Sequence, residues 1–308
     1  MKFNLQLPTD RVKFREQFGT AEAVMEMSNA AETHGYDAVF VTEHPIPQDE
    51  WMRTGGHHAL DPFVALSFAA AGTRTLRLQT NLCVIPYRNP FITAKAVATL
   101  DSLSGGRFVL GAGAGYLEPE FHALGVAFER RNELFDEALV AMKQVWTGES
   151  IDFDGEGFEV RGHHALPTPV QSPHPPIWIG GNSRRAIRRS VDHADGWMPI
   201  PNPAKLAKRR GTPALENLDD LRKSLDYMRE YADERGRAVP RDLVFMSLSG
   251  GMYGTAKFDA EAKLDEIAEM REIGVTHVAV SFPVDTRAEF LHHAGAFADE
   301  VVSRSREP

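Results

Sequence analysis

Only one cysteine, Cys83, occurs among the 308 residues. Neither an internal disulfide nor a thiolate metal cluster can form from one thiol. Basic residues are also short, 34 Lys and Arg against 43 Asp and Glu, for a net charge of −9. A nucleic-acid surface needs a concentrated basic face, and anionic membranes attract basic segments, so neither partner is expected. No apolar run approaches the ~20 residues of a membrane span. The opening MKFNLQLPTD is too short and polar for a secretory signal, which makes a cytoplasmic protein the expectation. A Gly-x-Ser-x-Gly elbow is missing, and Cys83 has no nucleophile context. The pairs His57-His58, His163-His164 and His292-His293 are adjacent, so on a strand their rings face opposite ways, and no metal site is expected.

What is present describes a globular chain. Hydrophobic residues make up 43% and charged residues 25%, enough for a sizeable core. Strand-like runs alternate with helical periodicity from end to end. Strands are predicted at 3–7, 38–41, 76–80, 107–110, 177–179, 195–199, 243–248 and 275–282. Helices are predicted at 21–34, 61–72, 89–104, 133–147, 183–194, 218–235, 260–273 and 287–302. Eight β-α pairs in one uninterrupted chain predict a single (β/α)8 barrel domain over residues 1–308. A doubly wound sheet is the alternative, but Pro8-Thr9-Asp10 stands where its glycine fingerprint should be. Two insertions interrupt the rhythm, a hairpin near 150–165 and a long, mobile loop near 201–217.

The stretch 172–201 organises the chain. Ile177-Trp178-Ile179 reads as a strand buried on both faces, followed by Gly180 and Gly181 and by the capping candidates Asn182 and Ser183. Arg184, Arg185, Arg188 and Arg189 crowd the helix start, where an anion would relieve them. A strand, a glycine pair and a helix N-terminus can cradle phosphate. The same residues also fit an ordinary βα turn with surface arginines.

In a barrel, the C-terminal strand ends meet at one mouth. That brings together Glu43 and His44, the segment 81–86, the run Gly111 to Tyr116, Gly180 to Ser183, Trp197, Ser247 to Gly251 and Ser281. Recurrent glycines there suit a large flat ligand. His44 suits a proton shuttle, and Glu43 beside it is a candidate to fix its tautomer. A structural histidine bonded to a backbone carbonyl fits the same position.

Several phrases in order resemble the luciferase-like monooxygenase superfamily, and within it the branch of coenzyme F420-dependent oxidoreductases. They are GYDAVFVTEH at 35–44, LRLQTNLCVIPYRNP at 76–90, and TLDSLSGGRFVLGAGAGYLEPEF at 99–121. ALVAMKQVWTGE at 138–149 and PTPVQSPHPPIWIGGNSRRAIRRSVDHADGWMP at 167–199 complete the set. The resemblance implies a deazaflavin, F420, or alternatively the flavin FMN, lying in the barrel mouth. It places His44 at the reactive ring edge and Asn81-Leu82 at a non-prolyl cis peptide behind the ring. Gly113, Ala114 and Gly115 then line the cofactor, and Gly180, Gly181, Asn182 and Ser183 form its phosphate segment. Where the branch's sugar-phosphate dehydrogenases carry a catalytic glutamate, this chain has Tyr116, with Glu118 two residues later, which argues against sugar-phosphate oxidation. Tyr116 is left to donate a hydrogen bond or to wall the pocket.

The expected function is an F420-dependent oxidoreductase passing hydride between cofactor and a small organic substrate. An FMN-dependent monooxygenase and a non-catalytic cofactor carrier are the alternatives. The resemblance also implies a homodimer, with Met25, Met27 and Phe68 on helices that are candidates for its face.

Overall fold

The computed structural model describes residues 1–306. Its barrel strands are β1 (Lys2–Gln6), β2 (Ala38–Val41), β3 (Arg77–Thr80), β4 (Phe108–Gly113), β5 (Ile177–Gly180), β6 (Gly196–Met198), β7 (Asp242–Met246) and β8 (His277–Val280), and the short strand Cys83–Val84 pairs with the end of β4. Each pairs in parallel with its neighbours, β8 returns to β1, and β3 pairs with β4. Among the described residues these eight strands close a barrel.

The helices that follow the eight strands in turn are α1 (Ala21–Thr33), α2 (Pro62–Ala71), α3 (Pro90–Ser104), α4 (Arg131–Trp146), α5 (Arg184–His193), α6 (Leu218–Glu234), α7 (Ala260–Glu272) and α8 (Arg287–Phe297). All but α4 begin with a side-chain cap, from Thr20, Asp61, Asn89, Ser183, Asn217, Asp259 and Thr286. These caps satisfy N–H groups that the helix leaves unbonded, each worth about 1 kcal/mol. They explain why the starts were legible in the sequence. None of the described helices is long and apolar enough to cross a membrane.

Strand alternation sorts the side chains into two cores. Phe3, Leu5, Val39, Leu78, Phe108 and Leu110 face outward and pack under the helices. Phe40, Val109, Trp178, Met198, Val244 and Ala279 fill the barrel, with Leu82 packed on them. Two buried amides share that interior. Asn4 Nδ2 donates to Gln79 Oε1 at 2.7 Å, and Gln79 Nε2 to Met198 Sδ at 3.1 Å.

Five stretches depart from expectation. Gly111 to Gly113 belong to β4 rather than to a glycine loop. Glycine is required at 111 because a Cβ there would lie 1.8 Å from the Thr80 carbonyl oxygen. The polar loop 45–60 contains a short helix, Asp49–Arg53, and another, Glu118–Ala123, follows β4. The expected long loop 201–217 carries the helix Ala204–Arg210 over a bridge between Asn202 and Leu215. The last helix ends at Phe297 and continues as a π-helical turn, Ala298–Val302. The hairpin insertion is present as Ile151–Gly155 and Phe158–His163.

Candidate functional site

A cavity of about 530 Å³ opens at the C-terminal ends of the strands, and its lining is predominantly apolar. It is lined by Glu43 and His44 from the end of β2 and by Asn81 and Leu82 beyond β3. Gly113, Ala114, Gly115 and Tyr116 come from β4 and its exit, and Gly180, Gly181, Asn182 and Ser183 join β5 to α5. The tertiary structure thus brings Glu43, His44, Asn81, Leu82, Gly113 to Tyr116 and Gly180 to Ser183 to one cavity, whereas Trp197, Ser247 to Gly251 and Ser281 do not line it. Their surroundings differ from expectation in several places.

The peptide between Asn81 and Leu82 is cis. Leu82 projects over the barrel core and forms the cavity floor. A Cβ on Gly180 would come within 2.3 Å of Leu82 Cδ2, and one on Gly113 within 2.6 Å of Leu82 Cδ1. These two glycines therefore make room for Leu82 first, and for a ligand only through it. Gly115 and Gly181 have φ of +75° and +114°, where L side chains are strained.

His44 is 9% exposed, and its Nδ1 lies 3.0 Å from Glu120 Oε2. Glu120 is fully buried, on the short helix Glu118–Ala123. Tyr87 Oη donates to the same Oε2 at 3.0 Å, and the Ile46 amide donates to Oε1 at 3.2 Å. A carboxylate oxygen accepts, so Nδ1 is the donor in this pair, and in the neutral ring Nε2 is then the acceptor. Burial, with the Glu120 charge beside it, pushes the Tyr87 phenol well above its ordinary value, so Tyr87 stays a donor.

Glu43 does not fix the His44 tautomer, contrary to expectation. It is turned to the other side, where its Oε2 accepts the Val84 amide at 2.6 Å and its Oε1 takes Arg88 Nε at 3.0 Å. Arg88 also reaches Asp61 at 3.0 Å. Burial raises the pKa of Glu43, and the Arg88 charge opposes that rise. Glu43 thereby ties the end of β2 to the segment that follows Leu82. Glu118, the carboxylate noticed in the sequence, is exposed and lies 3.8 Å from His122.

Aromatic rings surround His44. Trp51 lies 4.4 Å away between centroids, His57 4.8 Å edge-on and Tyr116 6.2 Å edge-on. Thr42 Oγ1 and His57 Nε2 are 3.2 Å apart. Glu120, Tyr87, Trp51 and His57 were not anticipated. Glu120 lay in the LEPEF phrase after the glycine run as one of two acids, Tyr87 in the phrase at 76–90 and His57 in an adjacent histidine pair, while Trp51 carried no signal.

The opposite end of the cavity is cationic, with Arg131, Arg185 and Arg189 in its wall. Arg185 pairs with Glu133 at 2.9 Å, and Arg189 pairs with Asp136 while packing over Phe135. Arg131 stacks on Phe128 at 3.7 Å. Arg184 turns away over Tyr227, and Arg188 lies exposed outside the cavity, so only half of the expected arginine cluster faces it. Ser183 Oγ accepts the Ala186 amide, 3.1 Å away, as a helix cap. Asn182 spends its side chain on Ile200, donating to the carbonyl at 2.8 Å and accepting the amide at 2.9 Å. Any phosphate here would meet backbone groups and arginines rather than the Asn182 amide.

An elongated ligand with an apolar ring system and an anionic end matches this cavity. The ring would lie on the Leu82 floor beside His44, and the anion at the arginine end. Among the described residues no group of three or more His, Cys, Asp or Glu side chains could hold a metal ion.

Comparison with known proteins identifies the family and the fold. The family model for luciferase-like monooxygenase matches residues 1–263. An uncharacterised protein of Mycobacterium tuberculosis is 29% identical over 287 residues, covering 86% of this chain and 90% of that one. The F420-dependent glucose-6-phosphate dehydrogenase of Nakamurella multipartita is 32% identical over 239 residues, covering 73% and 68%. The FMN-bound oxygenating constituent of 3,6-diketocamphane monooxygenase from Pseudomonas putida superposes with a TM-score of 0.75 at 16% identity, covering 100% and 99%. The chain belongs to the luciferase-like monooxygenase family.

Proposed function

We propose that the protein is an oxidoreductase that uses an F420-type deazaflavin to move hydride to or from a small organic substrate. The observation that carries this reading is the His44–Glu120 pair at one end of an apolar, glycine-walled cavity with arginines at the other. The relatedness to F420-dependent dehydrogenases supports the choice of deazaflavin. When bound, the deazaflavin supplies the two-electron chemistry at its central ring carbon.

The chain's own residues supply the rest. Leu82, Val84 and Gly113 to Gly115 would hold one face of the ring and exclude water. Arg131, Arg185 and the amides at the start of α5 would hold the phosphate. His44 Nε2 would take or return the proton that accompanies hydride transfer, with Glu120 holding the ring in place. Trp51, His57 and Tyr116 would wall the substrate side. An FMN-dependent monooxygenase is the second reading. It is favoured by the pairing of Arg185 and Arg189 with Glu133 and Asp136, which leaves little cationic charge for anionic groups beyond one phosphate.

Titration with F420 and with FMN separately, read by absorbance and fluorescence, tests the cofactor. Binding of FMN with no response to F420 overturns the first reading. His44→Ala should slow single-turnover cofactor reduction by ~10²–10⁴-fold. Cofactor affinity should stay within about tenfold, roughly 1.4 kcal/mol. Cofactor binding without turnover across a substrate panel would make the protein a carrier.

A further inference from the structure

The barrel interior changes character at the N-terminal ends of its strands. Bulky branched side chains ordinarily fill such an interior. At this end it carries Lys2 and Asn4 from β1, Arg77 from β3 and His277 from β8. Lys2 stands opposite His277 in register, and Arg77 opposite Ala38, whose small side chain leaves room. A cavity of about 280 Å³ opens there against Val109 and Trp178. That is well above the ~30 Å³ share of one water. It shares no lining residue with the cavity at the mouth, and the apolar barrel core lies between the two.

The polar groups of this second cavity are unevenly matched. Asn4 is fully buried, and its Nδ2 is spent on Gln79, while its Oδ1 has no hydrogen-bond partner among the described residues. A buried acceptor without a donor is costly. Arg77 is half-buried and donates to Gln171 Oε1 at 3.2 Å. Neither it nor Lys2, exposed at the rim, forms an ion pair among the described residues. The carboxylates nearby are engaged. Asp37 accepts the Phe3 amide at 2.8 Å and pairs with Arg306, and Asp242 accepts Trp178 Nε1 at 3.2 Å beside Arg241. Burial lowers the pKa of His277, Asp242 opposes, and the Lys2 and Arg77 charges lower it further, so the ring is neutral near pH 7.

We propose that the N-terminal end of the barrel is a second binding site, for a small carboxylate that also carries a hydroxyl group. The carboxylate would lie between Arg77 and Lys2, where a guanidinium fork suits its two oxygens. The hydroxyl would donate to Asn4 Oδ1. Val109 and Trp178 present apolar surface to the carbon skeleton, which favours an organic anion over inorganic phosphate. The site stands apart from the mouth, so it holds whichever cofactor the mouth takes.

Calorimetric titration with L-lactate, propionate and lactamide tests the site, since propionate lacks the hydroxyl and lactamide the charge. L-Lactate should saturate a single site per chain. Propionate should bind about fivefold more weakly, as loss of one hydrogen bond gives, and lactamide at least about tenfold more weakly. Arg77→Gln should weaken L-lactate at least about tenfold and retain the melting temperature of the unliganded chain. Asn4→Leu should bring L-lactate down to the affinity of propionate. Position 4 is buried, so if that variant does not fold, the three ligands on the natural chain decide the role of the hydroxyl. Arg131→Gln/Arg185→Gln, at the mouth, should leave L-lactate binding unchanged. No saturation by about 10 mM L-lactate overturns the proposal. So does equal affinity for L-lactate and propionate, or binding lost in the mouth variant and kept in Arg77→Gln. Inorganic phosphate that competes with L-lactate and binds as tightly overturns the organic ligand class.

Discussion

His44 Nδ1 and Glu120 Oε2 lie 3.0 Å apart although the residues are 76 positions apart in the chain. Glu120 touches the cavity only through His44 and Tyr87, which makes it a positioning residue. Glu120→Gln keeps the shape and removes the charge. Turnover should fall by ~10²-fold, with substrate KM and cofactor affinity within about threefold. Steady-state kinetics beside thermal melting check this. A lower melting temperature with unchanged turnover per folded molecule would make Glu120 a packing group only.

Gly180→Ala should drive Leu82 off the cavity floor, since the new methyl would lie 2.3 Å from Leu82 Cδ2. Overpacking of this kind costs about 1–3 kcal/mol. Leu82→Ala in the same chain should return at least ~0.5 kcal/mol of that stability through coupling between the two positions. Urea unfolding of the single and double variants measures the coupling, and strict additivity would separate the two residues. Gly180 suits this test better than Gly181, whose φ of +114° strains any side chain and would mix folding with binding.

Glu32 governs part of the pH dependence of stability. Burial would raise its pKa, but the amides of Arg74, Thr75 and Leu76 and the Thr75 hydroxyl win and bring it down to about 2. The folded state therefore prefers the carboxylate. That stabilisation is complete above the ordinary value of 4.5 and is lost as pH falls toward 2. Glu32→Gln should cost about 1–2 kcal/mol at pH 7, allowing for partial exposure. The gap to the natural chain should narrow below about pH 4.5 in urea titrations. A constant gap would refute the linkage.

The homodimer implied by family resemblance is a proposal that α2 helps to test. That helix has no charged residue, and Val64 and Phe68 project from it at 60% and 42% exposure. Val64→Glu/Phe68→Glu should convert a dimer to monomer in sedimentation with the fold retained, because the two residues sit one turn apart on one face. A natural chain that sediments as monomer at micromolar concentration would reject the dimer. Met27, also considered for that face, is buried inside the molecule.

The sequence by itself determined the barrel. Its evidence was local: caps such as Asp61 and Asn89, glycine stops, and β-branched or aromatic runs such as Ala38–Val41. Hydrogen bonds within a few residues and a period of 3.6 or 2 suffice for such elements, so they can be read without neighbours. The strand ends also predicted which residues would meet, because a closed parallel barrel delivers all of them to one mouth. What the sequence could not show was the direction in which each side chain turns once there. Glu43 adjoins His44 yet faces Arg88, since successive residues at a strand end point opposite ways. Glu120 reaches His44 from another unit of the barrel, and Arg184 and Arg188 turn away from the cavity that Arg185 and Arg189 face. Gly113 and Gly180 serve Leu82, a partner distant from both in sequence. Those pairings come from packing between separate β-α units, and only the tertiary structure decided them.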